Sequence, residues 1–131
     1  MAFDAQITFV RATDIERSTR FYRDELDLEL VLDQGGCRIF RVREGAYLGV
    51  CVHMGEPVPE GVVLTLVAED VDWWHERLAE RGVAFEKAPA HNEEFAIYHC
   101  FFRDPDGHLL EIQRFDDPHW NAEYCAPEKS R

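Results

Sequence analysis

The stretches ITFVRATDI (7–15) and VLTLVAEDV (63–71) align without a gap. Ile7 matches Val63, Val10 matches Leu66, Ala12 matches Ala68, Asp14 matches Asp70 and Ile15 matches Val71. Each copy alternates in the manner of a half-buried strand. Each ends at an aspartate whose short carboxylate suits a helix N-cap. Two strands of matching pattern, each running into a capped helix, read as an internally duplicated module.

The residues beyond each aspartate extend the match. IERSTRFYRDEL places Ile15, Ser18, Phe21, Tyr22 and Leu26 on one helical face, and VDWWHERLAERG does the same with Val71, Trp74 and Leu78, with Gly82 as the C-cap. Of Trp73 and Trp74, one is expected in the core and the other at a surface or dimer contact. Strand patterns follow each helix, at 28–33, 37–43 and 46–53 and again at 83–87, 96–103 and 108–115, joined by the turn signals DQGG, REG and DPDG. The chain therefore reads as two βαβββ modules, about 5–55 and 62–115. GEPVPEG (55–61) links them. A poorly ordered tail (116–131) carries Trp120 and Tyr124, either of which could dock on the body.

The totals exclude several function classes. A chain of 131 residues with 46 % apolar content can build one domain around a real core. The formal charge of −12 argues against a nucleic-acid partner, which needs a basic face. No apolar run approaches the roughly 18 residues of a membrane span. MAFDAQITF lacks a basic n-region and a long apolar core, so no secretory signal is expected and a cytoplasmic location is. No two of Cys37, Cys51, Cys100 and Cys125 are spaced C-x-x-C, and an ample core does not need a disulfide framework. They are read as reduced thiols, mostly packing.

The two-copy pattern, DIERSTRFY (14–22) and RDPDGHLLEI (103–112) together resemble the vicinal oxygen chelate superfamily, which includes glyoxalase I, bleomycin and fosfomycin resistance proteins and extradiol dioxygenases. The resemblance covers about residues 6–115. It implies an α+β fold in which two βαβββ modules form a cup-shaped, curled mixed sheet with the helices outside, commonly as a homodimer. One departure is Asp27, which stands where family members usually have glycine after the first helix. Aspartate tolerates the left-handed conformation better than most residues, so the cap can survive.

The same resemblance turns Ile7, Phe9 and Arg11, Gly49, Cys51 and His53, Val63, Thr65 and Val67, His99 and Phe101, and Leu109, Glu111 and Gln113 toward the cavity. Leu110 and Ile112 then pack under the helices. The family's metal-ligand positions fall on Ile7, Gly49, Val63 and Glu111, of which Glu111 alone has a donor side chain. No cofactor is therefore expected. A divalent metal at a non-standard site built from Glu111, His99 and His53 is the alternative. Glu111 and His99 are the candidate acid–base residues. The competing reading of His99 is a hydrogen-bonded wall residue, and that of Cys51 is packing. Arg11 either binds a ligand anion or pairs with an acid such as Glu111. DPDG is read as a turn without a catalytic role. With Phe9, Arg11, Cys51, Thr65, Phe101 and Gln113 as ligand contacts, the expected function is metal-free binding of a partly apolar small organic molecule. The alternatives are an enzyme of lyase, isomerase or dioxygenase type that uses Glu111, and an interaction module whose cup is filled by Phe9 and Phe101.

Overall fold

A computed structural model of the chain describes residues 2–120; Tyr124 and Cys125 lie outside the described residues. In chain order the elements are β1 (Gln6–Arg11), α1 (Ile15–Thr19, continuing as a π-helical stretch over Arg20–Glu25), β2 (Glu29–Asp33), β3 (Cys37–Arg43) and β4 (Ala46–Cys51), followed by β5 (Val63–Val67), α2 (Val71–Glu80), β6 (Phe85–Asn92), β7 (Ile97–Arg103) and β8 (Leu109–Phe115). The fold is α+β, with two four-stranded mixed sheets ordered β1-β4-β3-β2 and β5-β8-β7-β6. In each, the first strand runs parallel to the last and the remaining pairings are antiparallel. The sequence repeat is thus a repeat of topology. The chain divides into two compact units, one comprising the chain up to Gly61 together with Asp104–His108, the other Val62–Arg103 with the chain from Leu109 on.

Local chemistry explains the helix ends. The Asp14 carboxylate accepts from the backbone N–H groups of Glu16 and Arg17, and that of Asp70 accepts from Trp73. Each satisfies donors that a helix start leaves without a partner. At the end of α2, Gly82 takes φ +89°, and the N–H groups of Gly82 and Val83 close on the carbonyls of Ala79 and Leu78. This is the pairing a left-handed C-cap provides. Asp27 adopts φ 60°, the conformation its place after the first helix demands.

In the first unit, α1 packs on β3 and β4 and buries Ser18, Thr19, Phe21, Tyr22 and Leu26, with Phe40, Leu48 and Val50 of the sheet in the same core. Residues 104–108 complete it. The buried Asp104 accepts the Tyr22 hydroxyl at 2.7 Å and the backbone N–H groups of Asp106 and His108 at 2.9 Å each. Asp106 accepts from Thr13, Arg17 and Ser18, and His108 Nε2 donates to the Arg11 carbonyl at 2.7 Å. DPDG therefore does more than reverse the chain: its two carboxylates hold the start and middle of the first helix.

In the second unit, α2 packs on β6, β7 and β8 over Cys100, Phe102, Leu110 and Ile112, all at most 1 % exposed. Leu78 and Val71 close this core from the helix side. Trp74 is half-buried, while Trp73 is exposed and carries the Arg77 guanidinium over its ring. Trp120 stacks on Phe115 with ring centroids 4.1 Å apart.

Three expectations change. β4 ends at Cys51, so His53 is not on a strand. β6 runs to Asn92 rather than to 87 because its register shifts between Lys87 and Ala90, which lets an edge strand absorb Pro89. Cys37 and Cys51, read as reduced thiols, form a disulfide. They are directly opposed across β3 and β4 with Cα atoms 4.2 Å apart, so their side chains meet on one face.

Ala96 gives a stability prediction. It sits at φ 51° in the turn before β7, where a Cβ is unfavourable by roughly 1 kcal/mol or more. Ala96→Gly is expected to stabilise the protein by about 0.5 kcal/mol, the glycine's extra unfolded-state entropy offsetting part of the relief. Urea unfolding of the variant beside wild type tests this, and a loss of stability would contradict it.

Candidate functional site

Strand alternation divides each sheet into a face under its helix and an opposite face. On β8, Leu110 and Ile112 go under α2, and Leu109, Glu111 and Gln113 take the opposite face. The register sets Thr65 and Phe101 beside Glu111, Val67 and His99 beside Gln113, and Val63 beside Leu109. Five of the eight site residues expected from the sequence therefore share one sheet face of the second unit: Thr65, His99, Phe101, Glu111 and Gln113.

His99, Glu111 and Gln113 form a buried polar cluster, with Thr65 exposed at its edge. Glu111 is 8 % exposed and His99 5 %. The Thr65 hydroxyl donates to Glu111 Oε1 at 2.7 Å, and His99 Nδ1 lies 2.5 Å from Oε2. With the Gln113 amide turned to satisfy both groups, its nitrogen donates to Oε1 and Oε2 at 3.2 and 2.9 Å. A carboxylate accepts only, so Nδ1 carries the proton and Nε2 is the imidazole atom left for other chemistry. Glu111 thus orients His99, and Phe101 braces the ring edge-on with centroids 4.9 Å apart. Lys87 completes the group, with Nζ 3.5 Å from His99 Nε2. The sequence reading missed Lys87. Its signal lay in the pairing of β6 with β7, which sets Lys87 opposite Phe101. Around the cluster Val63 and Val67 are 47 % and 44 % exposed, so a wet apolar surface flanks a polar point.

Phe9, Arg11 and Cys51 lie in the first unit. Phe9 is 43 % exposed and its ring lies over Gly49. Arg11 Nη1 donates to the Glu56 carbonyl at 3.3 Å. Cys51 is buried in its disulfide, which removes a free nucleophile. Cys100 is fully buried, and burial pushes its thiol up to about 11, so it too is unreactive near neutrality.

The residues present do not fit the metal of the resemblance. Ile7 and Val63 offer hydrocarbon only. A Cβ at Gly49 would meet the Phe9 ring at 2.4 Å, so that ring holds the space a ligand side chain would need. Glu111 has its lone pairs engaged by Thr65, His99 and Gln113. For the alternative set, the Lys87 ammonium stands at His99 Nε2, where a cation would have to bind. His53 is exposed in the first unit. Among the described residues no three His, Cys, Asp or Glu side chains are grouped to hold an ion.

Comparison with known proteins identifies the family and the fold. The uncharacterized protein YraH of Bacillus subtilis (strain 168) is 28 % identical over 77 % of this chain and 90 % of its own. Among solved structures, TnmS3, an antibiotic binding protein from Streptomyces sp. CB03234, is 26 % identical with a TM-score of 0.75, covering 87 % of this chain and 98 % of that one. The lactoylglutathione lyase of Agrobacterium tumefaciens shares the fold at 22 % identity and a TM-score of 0.68, over 83 % of this chain and 91 % of that one. The family model that matches spans residues 5–112, nearly the whole of both modules. By that match and the duplicated βαβββ topology, the chain belongs to the Glyoxalase/Bleomycin resistance protein/Dioxygenase superfamily.

Proposed function

We propose that this chain binds a partly apolar small organic molecule, without the metal ion associated with its family's enzymes. The observation that carries this reading is the state of Glu111. The one carboxylate in a ligand position is enclosed by three protein donors, and a lysine stands at the imidazole it orients. The half-exposed Val63, Val67 and Phe101 beside that cluster supply apolar contact with a few fixed polar points, the usual chemistry of a small-molecule site. The likeness to an antibiotic binding protein supports the same reading. Homodimer formation and a cytoplasmic location belong to this proposal. No helix among the described residues is long and apolar enough to cross a membrane.

The Glu111–His99 pair favours a second reading, an enzyme in which His99 Nε2 moves a proton and Glu111 holds the ring. This is the base-and-orienter arrangement of general acid–base catalysis.

Elemental analysis of purified, tag-free protein after incubation with manganese, zinc and iron separates metal-bound from metal-free forms. Thermal-shift screening of apolar compounds follows. The expected result is less than stoichiometric metal and a set of stabilising compounds. One tightly held ion per chain, lost in Glu111→Ala, would overturn the metal-free reading.

A further inference from the structure

The Lys87 side chain makes no ion pair with any described residue. It is exposed on an edge strand, and its hydrogen-bonding contact is the long 3.5 Å approach to His99 Nε2. In a chain with 26 acidic and 14 basic residues, no carboxylate among the described residues is its ion-pair partner. The nearest acid on its sheet face, Glu111, is sealed by Thr65, Gln113 and His99 Nδ1, so its charge is spent inside the cluster. The charge this cluster presents outward is the Lys87 ammonium, with Nε2 of the buried His99 3.5 Å from it and held in place by Glu111.

We infer that the bound molecule carries a carboxylic acid group, seated on Lys87 Nζ and His99 Nε2. The inference rests on the small-molecule reading above and names the chemistry of its polar end. One carboxyl oxygen accepts from the ammonium. The other accepts from Nε2–H, His99 taking its second proton from solvent as the carboxylate binds, with Glu111 keeping the ring turned toward it. An amine or metal cation would meet the ammonium head-on. An ester could accept from Lys87 but carries no charge to pair with the ammonium. The apolar body then lies along Phe101, Val63 and Val67, whose side chains share this face. A group with a single negative charge also suits a chain of net charge −12, which would repel a polyanion more strongly.

The test is calorimetric titration of the full chain with benzoate, 1-naphthoate and octanoate, each beside its methyl ester. Acids are expected to bind about tenfold or more tightly than their esters, as a charge-assisted hydrogen bond would give. Lys87→Met, an exposed change that leaves the core intact, is expected to erase that preference, acids and esters then binding alike. His99 side-chain nitrogen resonances should move on addition of acid and not of ester. Equal binding of acids and esters would overturn this inference and leave the small-molecule reading standing. Acid preference that survives in Lys87→Met would place the anion elsewhere and overturn it as well. No binding by any member of either series would overturn both.

Discussion

Asp104→Ala is expected to destabilise the protein by about 3 kcal/mol, among the largest effects of any single change in the first unit. The carboxylate is 6 % exposed and satisfies three donors: the Tyr22 hydroxyl and the N–H groups of Asp106 and His108. Alanine leaves the fully buried hydroxyl and both turn amides without this acceptor, and a buried donor left unmade costs about 1–3 kcal/mol. For a chain of this size the change corresponds to a fall in Tm of roughly 10 °C. Tyr22→Phe removes one of the three bonds and is expected to cost about 1–2 kcal/mol, so the two variants should rank in that order by urea unfolding. Equal, sub-kcal losses would show that the 104–108 turn does not hold the helix.

The isosteric Asp104→Asn variant adds a pH signature. Burial raises the Asp104 carboxyl above its ordinary 3.8, opposed in part by the Tyr22 hydroxyl, His108 and the turn amides. With the folded-state value above the unfolded one, the folded protein binds the proton more readily in the window between them. Asp104 thus contributes stability that is fully present below about 3.8 and lost as pH rises through the folded value. Asparagine does not titrate. The stability of wild type relative to Asp104→Asn is therefore expected to fall as pH rises from about 4 and to level off above the folded value. Other acids shared by both proteins cancel in the difference. A gap that widens in favour of wild type on raising the pH would reverse the sign.

The duplicated strand–helix start was legible because its signals are local. Asp14 and Asp70 cap by side-chain chemistry that a sequence displays directly, and Gly82 and Asp27 mark left-handed backbone. The faces of β8 were legible for the same reason, since alternation carries Glu111 and Gln113 away from Leu110 and Ile112. What escaped depends on register between strands. Lys87 lies within the expected strand 83–87, but a register shift between Phe85 and Lys87 sets it opposite Phe101 and so beside the cluster, and no sequence pattern displays that shift. The meeting of Cys37 with Cys51 turns on the register of the β3–β4 hairpin, which itself shifts between Arg41 and Arg43. A one-residue difference there would have put the two sulfurs on opposite faces. The partners of Asp104 and Asp106 are tens of residues away in sequence, so DPDG displayed its turn chemistry and hid its contacts with α1.

The pairing of Glu111 with His99 is the other place where one change should have a large effect, and a double-mutant cycle measures it. Glu111→Leu leaves the buried His99 Nδ1–H and Gln113 amide facing hydrocarbon. His99→Leu leaves the buried carboxylate short of its closest donor. Each single change is expected to cost about 2–4 kcal/mol, since removing one partner of a buried pair strands the other. The double change His99→Leu/Glu111→Leu removes both polar groups together and replaces them with side chains of similar bulk. It should cost clearly less than the two singles combined, with a coupling energy of about 2 kcal/mol. Additive losses would mean that the two side chains do not act as a unit, and Glu111 could then not be what holds Nε2 in place. Coupling of the expected size has a functional consequence, because His99 then owes its orientation to Glu111. Glu111→Gln should accordingly weaken recognition at Nε2 without touching any group that faces the ligand. The amide would set one of its own donors against Nδ1–H or the Thr65 hydroxyl, and the ring would lose the acceptor that fixes its tautomer. A carboxylate between Leu110 and Ile112 is accounted for on this view by the histidine it holds.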